Sequence, residues 1–249
     1  MPNLNALANK DLTRVAAAIL AGGFGTRLRS IISDKPKVLA EIRGKPFLAF
    51  LLDQLVDVGV RYVVLCTGYL GKQVQDTFGD SYGNLHLVYS QESSPLGTAG
   101  ALRLALPLFK SDSVLTMNGD SFCDVNLNVF WAWHCERSAN ATLLLTKVLD
   151  TKWYGRVHVD TDGLVLGFDE KDDKGGSGWI NAGIYLLTRS LLLTIPVNRA
   201  VSLEREMFPA WVGRSFYGYR SNGRFLDIGS PETYAVADQF FTEDVIHDH

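Results

Sequence analysis

The chain has 249 residues, of which 47% are hydrophobic and 20% are charged, and its formal net charge at pH 7 is −3. This length suffices for a substantial hydrophobic core, and a chain without a Lys/Arg run offers no basic surface to nucleic acid. No apolar stretch approaches the length of a membrane span. The composition therefore predicts an ordinary soluble globular protein with neither a nucleic-acid nor a membrane partner.

The cysteines and the N-terminal segment indicate the cellular compartment. Cys66, Cys123 and Cys135 form no CxxC pair and have no histidine at metal-ligand spacing. Isolated cysteines in odd number argue against a disulfide framework or a zinc site and favour a reducing compartment. The apolar run 15–21 resembles a signal peptide only weakly, because it is short and Arg27 follows closely. We therefore expect a cytoplasmic protein.

The first half of the chain alternates between strand-like and helical patterns. Val15 to Leu20 is a strand-like apolar run, whereas Pro46 to Gly59 carries apolar residues at helical spacing, with Pro early and Gly at its end. Tyr62 to Thr67 is a continuous β-branched run, typical of a parallel strand covered on both faces. The alternation continues in a helix at 72–78, a strand at 85–90, a helix at 100–109 and a strand at 113–120 that ends in a carboxylate. These elements predict a doubly wound α/β sheet.

The second half mixes strands and helices less regularly. Residues 156–168 predict a hairpin that turns at Asp162 and Gly163. The other predicted elements are helices at 128–138, 202–212 and 230–241 and strands at 141–149 and 179–187. We expect one domain over residues 1–249, with one half at about 14–125, a second at about 126–241, and a small inserted lobe in the second.

The segment LAGGFGTRLR, Leu20 to Arg29, follows the first predicted strand with three glycines and two arginines. Glycines in this place let the backbone direct amide N–H groups at anionic oxygens. The run is neither GxGxxG nor a Walker A loop. Taken alone, it could equally be a glycine-rich turn with solvated arginines.

Seven further motifs follow this loop in order: KPKVL, PLGTAGAL, NGD, YGRV, FDEK, NAGIY and FLDIGSPETY. Together with LAGGFGTRLR they resemble the signature of the sugar-1-phosphate nucleotidyltransferase family, over nearly the whole chain from Val15 to Phe241. The resemblance implies a Rossmann-like, doubly wound mixed sheet of the nucleotide-diphospho-sugar transferase fold with a small inserted substrate lobe. It implies an enzyme that converts a nucleoside triphosphate and a sugar 1-phosphate to a nucleotide sugar and pyrophosphate.

The stretch CTGYLGKQVQDTFGD looks most like the bacterial branch of this family that makes GDP-activated manno-heptose. That branch implies GTP and D-glycero-α-D-manno-heptose 1-phosphate as the substrates. Guanylyl transfer to mannose 1-phosphate, or uridylyl, thymidylyl or cytidylyl transfer to another sugar 1-phosphate, is the alternative.

The resemblance assigns the nucleotide to the first half of the chain. Arg27 would neutralise the triphosphate and the leaving pyrophosphate, and Lys37 would meet the α-phosphate and the sugar phosphate, as catalytic residues. Glu92, five residues before Gly97, would read the base, because a carboxylate accepts from the adjacent N1–H and N2 amine of guanine. Alternatively Glu92 is a solvated carboxylate and Gln91 or backbone groups read the base. The remaining implied nucleotide contacts are Leu20, Ala21, Gly22, Gly23, Gly25, Thr26, Thr98, Asn118 and Gly119.

Mg²⁺ is the implied cofactor, because carboxylate oxygens at two separate strand ends suit an octahedral ion that bridges phosphates. Asp120 of NGD and Asp227 of FLDIG are the implied ligands, each placed after a strand-like run that flanks the ligand-binding edge of the sheet. The alternative is that Asp120 is a turn residue and that Asp227 caps the helix starting near Pro231.

The sugar side is assigned to the backbone of Gly155, to Glu170 and Lys171 of FDEK, and to Asn181 of NAG. Carboxylate and amide groups fit vicinal hydroxyls, and Lys171 would meet the sugar phosphate. Glu170 and Lys171 could instead be a solvated charge pair, and Asn181 a satisfied turn residue. The aromatic segment 130–135 fits either core or a subunit interface, so a homo-oligomer is an open possibility.

Two other classes of protein fit the sequence less well. A Rossmann oxidoreductase needs GxGxxG and an acidic residue about twenty residues further on, and here Lys35 and Lys37 precede that point, with Glu41 near it. A binding-only relative that senses sugar nucleotides would be recognised by the loss of Arg27, Lys37 or a metal aspartate, and all are present. The sequence therefore favours an enzyme.

Overall fold

A computed structural model of the chain describes residues 11–23, 25, 27–28, 32, 34–169 and 175–242. Strands β1 to β14 of this part are, in chain order, Ala16–Ala21, Glu41–Ile42, Lys45–Pro46, Tyr62–Thr67, Ser81–Tyr82, Leu85–Gln91, Ser113–Asn118, Ser121–Cys123, Ala141–Val148, Val157–Val159, Val165–Phe168, Gly178–Thr188, Phe216–Ser221 and Phe225–Asp227. Helices α1 to α8 are Phe47–Asp57, Gly71–Phe78, Gly97–Ala105, Leu127–Glu136, Arg189–Leu192, Phe208–Trp211, Pro231–Ala235 and Ala237–Phe240. Leu12–Arg14, Lys37–Leu39 and Leu106–Leu108 form 3₁₀ turns, and Leu203–Met207 is π-helical.

The main sheet has eight strands in the order β13-β9-β12-β7-β1-β4-β6-β5. Strand β1 pairs in parallel with both β4 and β7, and β4 pairs in parallel with β6. The chain therefore runs outward from β1 to β6 and then crosses to the other side of β1 to form β7. The carboxyl ends of these four strands lie at one edge, where open α/β sheets bind their ligands. The prediction of a doubly wound sheet is confirmed.

Both faces of this sheet are covered, which explains the continuous apolar runs of its central strands. Ala17 and Ile19 of β1 belong to one hydrophobic core, whereas Ala16 and Ala18 belong to the other. Helix α1 packs into the first core and helix α3 into the second. The sheet thus forms the middle of three layers and holds its strand ends rigidly.

The second half of the chain extends the same sheet. Strand β12 is antiparallel to both β7 and β9, and β13 runs parallel to β9. Strands β10 and β11 form the predicted hairpin outside the main sheet, with Gly163 at a φ of 90° in its turn. Of the aromatic segment, Phe130, Trp131 and His134 are buried on α4, so these residues belong to the core.

Two predicted helices differ in detail from the structure. Residues 202–212 form a π-helical turn followed by α6, with Ser202 as the predicted N-cap, which accepts from Arg205 N. Pro209 has no N–H to donate to the carbonyl four residues earlier, so a regular α-helix cannot run through this segment. Residues 230–241 form α7 and α8, with Val236 between them at a φ of −96°. Among the described residues, no helix is long and apolar enough to cross a membrane.

The last strand also differs from expectation. We expected Asp227 to follow a strand beside the ligand-binding edge of the main sheet. It ends β14, which instead pairs antiparallel with β8 in a separate two-stranded sheet. Because β8 begins directly after the turn that follows β7, this short sheet lies next to the strand ends.

Candidate active site

Two glycines at the carboxyl edge make room for one carboxylate. Gly22 follows β1 and Gly68 follows β4. A Cβ atom on Gly22 would lie 3.0 Å from Glu92 Oε1, and a Cβ on Gly68 would lie 2.7 Å from the same oxygen. By contrast, a Cβ on Gly23 would meet no atom of the described residues within 4 Å. Among the described residues, the edge therefore combines a tightly packed carboxylate beside Gly22 and Gly68 with room for a Cβ at Gly23.

Glu92 is half-buried and hydrogen-bonded rather than freely solvated. Its backbone N–H donates to Thr67 O over 2.9 Å, and its Oε2 accepts from Leu96 N over 2.9 Å. Burial raises the pKa of the Glu92 carboxyl, and the Leu96 N–H opposes that rise. The carboxylate is thus fixed at the start of the loop that leads into α3.

Lys37 and Asp120 form an ion pair beside the glycine loop. Pro36, with φ −62° and ψ 144°, leads the chain in extended form to Lys37, as its fixed ring predicts. The Lys37 Nζ lies 2.8 Å from Asp120 Oδ2, and the side chains are 11% and 43% exposed, respectively. A nearly buried ammonium group therefore neutralises a carboxylate that faces solvent.

The pairing of β8 with β14 brings Asp227 next to Asp120. In this pair Asp227 lies opposite Ser121, and Ile228 N donates to Asp120 O over 2.9 Å. The N-cap of the following helix is Ser230, which forms a capping box, so Asp227 does not cap that helix. Its carboxylate is left to face Asp120.

The electrostatics of Asp227 indicate a site for a cation. Burial raises the pKa of the Asp227 carboxyl, and the negative charge of Asp120 raises it further. Lys37, the N–H of Gly229 and Arg27 lower the same pKa. Two neighbouring carboxylates next to two basic groups are the kind of charge cluster that marks functional sites.

The donor set fits Mg²⁺. Within the part of the chain that the structure describes, no group of three or more His, Cys, Asp or Glu residues could hold a metal ion. Mg²⁺ is usually held by one or two carboxylates, with waters and substrate phosphates completing the octahedron. Asp120 and Asp227 provide such a pair, and Asp120 is accessible from solvent.

Several predicted nucleotide-binding residues are constrained by packing within the protein. Gly97 has a φ of +72°, and a Cβ there would lie 2.5 Å from Val201 O. Gly119 N donates to Leu20 O over 3.0 Å, and a Cβ on Gly119 would approach that oxygen to 2.6 Å. Gly25 has a φ of +57°, and Ala21 is buried at the end of β1. These positions shape the edge through the backbone.

A polar network connects Asn118 with Asn181. The Asn181 Nδ2 donates to the Tyr185 hydroxyl over 2.9 Å, and its Oδ1 accepts from Gly183 N over 2.9 Å. The Tyr185 hydroxyl in turn donates to Asn118 Oδ1 over 3.4 Å. Burial raises the pKa of Tyr185 well above its usual value. The amide of Asn181 is thus hydrogen-bonded within the protein.

Tyr154 lies at this site although no role was predicted for it. Its ring contacts Phe225 of β14 edge to face, with 6.1 Å between ring centroids. Burial raises the pKa of the Tyr154 phenol, and Asp227 raises it while Arg27 lowers it, so the phenol lies near both groups. The signal was present, because Tyr154 opens the motif YGRV. Gly68 was missed too, and its signal was a glycine directly after the second parallel strand.

The structure thus brings Gly22, Arg27, Lys37, Glu92, Asp120 and Asp227 to one edge. Gly155 follows Tyr154, and a Cβ there would lie 2.9 Å from Asp169 O. Thr26, Glu170 and Lys171 lie outside the described residues. Glycine loop, buried lysine and paired carboxylates on a doubly wound sheet define a class of protein: one that handles nucleotide phosphates, with a site suited to a divalent cation.

The match to known proteins narrows this class. The family described as nucleotidyl transferase matches residues 16–244, and the chain belongs to that family. The predicted family is confirmed.

Relatives at similar levels of identity are found among two kinds of enzyme. The chain is 36% identical over 223 residues to mannose-1-phosphate guanylyltransferase catalytic subunit beta from Drosophila melanogaster, covering 88% of this chain and 60% of that relative. It is 36% identical over 218 residues to D-glycero-alpha-D-manno-heptose 1-phosphate guanylyltransferase from Campylobacter jejuni, covering 88% of this chain and 96% of the relative. The chain thus spans less than two thirds of the first relative and most of the second.

A solved structure supports the fold. HddC from Yersinia pseudotuberculosis, described as complexed with GMP-PN, matches with a TM-score of 0.80 at 32% identity, covering 91% of this chain and 99% of that one. The nucleotide-diphospho-sugar transferase fold predicted from the sequence is confirmed.

Proposed function

We propose that this chain transfers a guanylyl group from GTP to a manno-configured sugar 1-phosphate and releases pyrophosphate. The expected acceptor is D-glycero-α-D-manno-heptose 1-phosphate, and mannose 1-phosphate is the second candidate. The names of the two relatives support this choice, since both are guanylyltransferases of a manno-configured sugar 1-phosphate. The observation that carries the proposal is the meeting of Asp120, Asp227 and Lys37 at the sheet edge that also holds Glu92.

The reaction balances without a protein nucleophile. An oxygen of the sugar phosphate attacks the α-phosphorus of GTP, the bond to the α,β-bridging oxygen breaks, and pyrophosphate leaves with that electron pair. Both reactants are anions, so positioning and charge neutralisation are the main contributions that the protein can make. The reaction needs fixed positive charges around the α-phosphate, and we assign that part to Lys37 and Arg27.

Lys37 is the residue that we assign to the α-phosphate. Its ammonium group is nearly buried and is already oriented by Asp120. A donor fixed before the reaction stabilises developing charge without reorganising. Arg27 is exposed next to the glycine loop, so it can neutralise the triphosphate and the departing pyrophosphate.

Asp120 and Asp227 are the residues that would hold Mg²⁺. When bound, Mg²⁺ supplies positive charge that offsets the charge on the phosphate oxygens. The mutual repulsion of the two carboxylates, evident in the raised pKa of Asp227, is then relieved. Lys37 offsets part of that repulsion when no metal is present.

Glu92 is the residue that we assign to guanine. An ionised carboxylate offers about four acceptor positions, so Oε2 can accept from a guanine donor while it also accepts from Leu96 N. Guanine presents N1–H and N2–H side by side, and a carboxylate matches this pair of donors. Uracil and thymine place acceptors beside their N3–H, and these acceptors would face the carboxylate unfavourably.

The remaining roles follow the family resemblance. The Gly22 and Gly23 backbone would contact the triphosphate, and Gly155, Glu170, Lys171 and Asn181 would contact the sugar. We place the reaction in the cytoplasm and infer that the product supplies glycosyltransferases of capsule or lipopolysaccharide synthesis.

The experiment that tests the function is a grid of four nucleoside triphosphates against several sugar 1-phosphates, read by pyrophosphate release. We expect the highest kcat/KM for GTP with a manno-configured acceptor. If the purified chain is folded and turns over none of the acceptors in the grid, the proposal is contradicted.

A further inference from the structure

The segment Ser202 to Met207, SLEREM, takes no part in the proposed chemistry, yet it is tied to the loop before α3. Val201 O accepts from Ala99 N over 3.0 Å and from Gly100 N over 3.3 Å. Val201 N donates to Leu96 O over 2.8 Å. The backbone just before SLEREM therefore runs against the N-terminus of α3.

Three side chains, those of Thr98, Ser202 and Glu204, fix this contact. The Thr98 hydroxyl donates to Glu204 Oε2 over 2.9 Å and accepts from Leu203 N over 2.8 Å. The Ser202 hydroxyl donates to the same Glu204 oxygen over 3.0 Å. The Thr98 hydroxyl is thus engaged both as donor and as acceptor, and the Glu204 carboxylate lies beside the first turn of α3, where negative charge is favourable.

Leu96 connects this contact to the carboxylate that we assign to the base. Its N–H donates to Glu92 Oε2, and its carbonyl accepts from Val201 N. Gly97 follows at a φ of +72°, packed against Val201 O. Because both polar backbone groups of Leu96 are bound, a shift of Val201 relative to α3 moves the partner of Glu92.

We propose that Glu204 is a positioning residue for recognition of the nucleotide base: through Thr98 and Val201 it holds the loop Glu92–Gly97 in the conformation that binds guanine. The proposal rests on the proposed function, in that Glu92 is taken to read the base. It assigns the Thr98 hydroxyl to the protein rather than to the nucleotide. Loss of the Glu204 carboxylate leaves the reacting groups in place and loosens the base loop.

The test compares Glu204→Ala with a rescue variant and a matched control in the full chain. Glu204→Gln retains an amide oxygen that can accept from the two hydroxyls. Glu206→Ala is the control, because Glu206 lies on the same segment but bonds to Ser202 N over 3.1 Å and to Arg199 over 2.7 Å, and makes no hydrogen bond to α3 among the described residues. Dissociation constants for GTP and UTP with Mg²⁺, measured by calorimetry, and the melting temperature are determined for each variant.

We expect Glu204→Ala to weaken GTP binding about tenfold, in the range of one hydrogen bond to a charged group, with little change for UTP. Glu204→Gln should recover most of the ratio of GTP to UTP affinity. Glu206→Ala should keep that ratio even if its melting temperature falls.

An unchanged ratio in Glu204→Ala, or an equal loss in Glu206→Ala, would overturn the positioning role. A wild-type chain that binds another nucleotide best would instead contradict the proposed guanylyl function. In that case the positioning role holds if Glu204→Ala weakens the preference for that nucleotide and Glu206→Ala does not, and it fails otherwise.

Discussion

The nucleotide side and the sugar side of the candidate site differ in how their polar groups are used. On the nucleotide side, Lys37, Asp120 and Asp227 face one another, and burial and like charge raise the pKa of Asp227. On the sugar side, the Asn181 amide is bound by Tyr185 and Gly183 within the protein. Two neighbouring carboxylates repel each other in the unliganded fold, Lys37 offsets part of that repulsion, and such a charge cluster suits a polyanion that binds with a cation. Under the proposed function, phosphate chemistry would use charges that are assembled before substrate binds.

Removing either aspartate gives the sharpest test of this contrast. We expect Asp120→Asn and Asp227→Asn each to lower kcat on the order of 10³-fold, similar to the loss of a main electrostatic group in other active sites. Asp227→Asn should leave the melting temperature without metal unchanged or raised, because it removes the repulsion from Asp120. Pyrophosphate release and thermal unfolding measure the two quantities. Normal turnover by both folded variants would disprove the metal-ligand assignment.

Lys37 should show the next largest effect. Lys37→Ala is expected to lower kcat on the order of 10²-fold and to change the KM for GTP much less, because its contact strengthens as charge develops on the α-phosphate. Lys35→Ala is the matched control, since Lys35 is exposed and pairs with Glu41 over 2.9 Å. Steady-state kinetics measure kcat and the KM for GTP separately in both variants. A loss confined to KM in Lys37→Ala would place this lysine in ground-state binding only.

The base preference should depend on Glu92. In Glu92→Gln the amide N–H₂ meets the guanine donors, so we expect the ratio of kcat/KM for GTP to that for UTP to fall about tenfold. Gln91→Ala tests the alternative base reader and should leave the ratio unchanged, because Gln91 is exposed at the end of β6. If the ratio changes in Gln91→Ala and not in Glu92→Gln, base recognition belongs to Gln91 rather than to Glu92.

Replacing two glycines of the edge by alanine should affect different properties, stability at Gly119 and GTP binding at Gly23. Gly119→Ala should lower the free energy of unfolding by about 1–3 kcal/mol, because its Cβ would lie 2.6 Å from Leu20 O. Gly23→Ala should leave stability unchanged, because its Cβ would meet no atom of the described residues within 4 Å, and it should weaken GTP binding, because the proposed triphosphate contact lies there. Urea unfolding and GTP titration report the two effects. Equal destabilisation of both variants would mean that Gly23 serves the fold.

The smallest effect concerns a buried histidine away from the site. Burial lowers the pKa of His134 from 6.5 to about 4, and its Nδ1 lies 2.7 Å from Thr142 Oγ1. The folded state keeps this ring neutral while the unfolded chain takes up a proton below about pH 6.5. The free energy of unfolding is therefore unaffected by protonation of His134 above about pH 6.5. Between that pH and about pH 4 it falls by up to about 1.4 kcal/mol per pH unit, because protonation of His134 favours the unfolded chain.

Urea unfolding between pH 7.5 and 4.5 should show this loss in the wild type and a smaller one in His134→Gln. His158→Gln is the control, since His158 is exposed and pairs with Asp169. Equal pH dependence in the wild type and His134→Gln would exclude His134 as the cause.

The sequence predicted what depends on local pattern. Strands β1, β4 and β7 were found because they are mostly buried apolar runs, and β6 was found from its apolar residues although His86 within it is exposed. Strand β13 was missed, because FYGYRS carries glycine and arginine within an apolar run. The strand-like run before Asp227 was recognised, but its partner β8 has three residues and exists through pairing with β14, so periodicity could not reveal β8 or that pairing.

In the candidate site, too, the sequence identified the residues but not the long-range contacts between them. The motifs placed Asp120 and Asp227 after strands, but their proximity depends on the β8–β14 register, which joins residues about a hundred positions apart. The contact of Thr98 with Glu204 spans 106 positions and was not predictable from either motif.

The fate of the α-phosphorus of GTP distinguishes guanylyl transfer from other reactions of the triphosphate. The purified chain is incubated with Mg²⁺, D-glycero-α-D-manno-heptose 1-phosphate and GTP radiolabelled at either its α- or its γ-phosphorus. We expect the α label in a sugar nucleotide and the γ label in pyrophosphate, and neither product from Asp227→Asn. Release of the γ label as inorganic phosphate, or an α label that stays in GTP with both heptose and mannose 1-phosphate as acceptors, would contradict it.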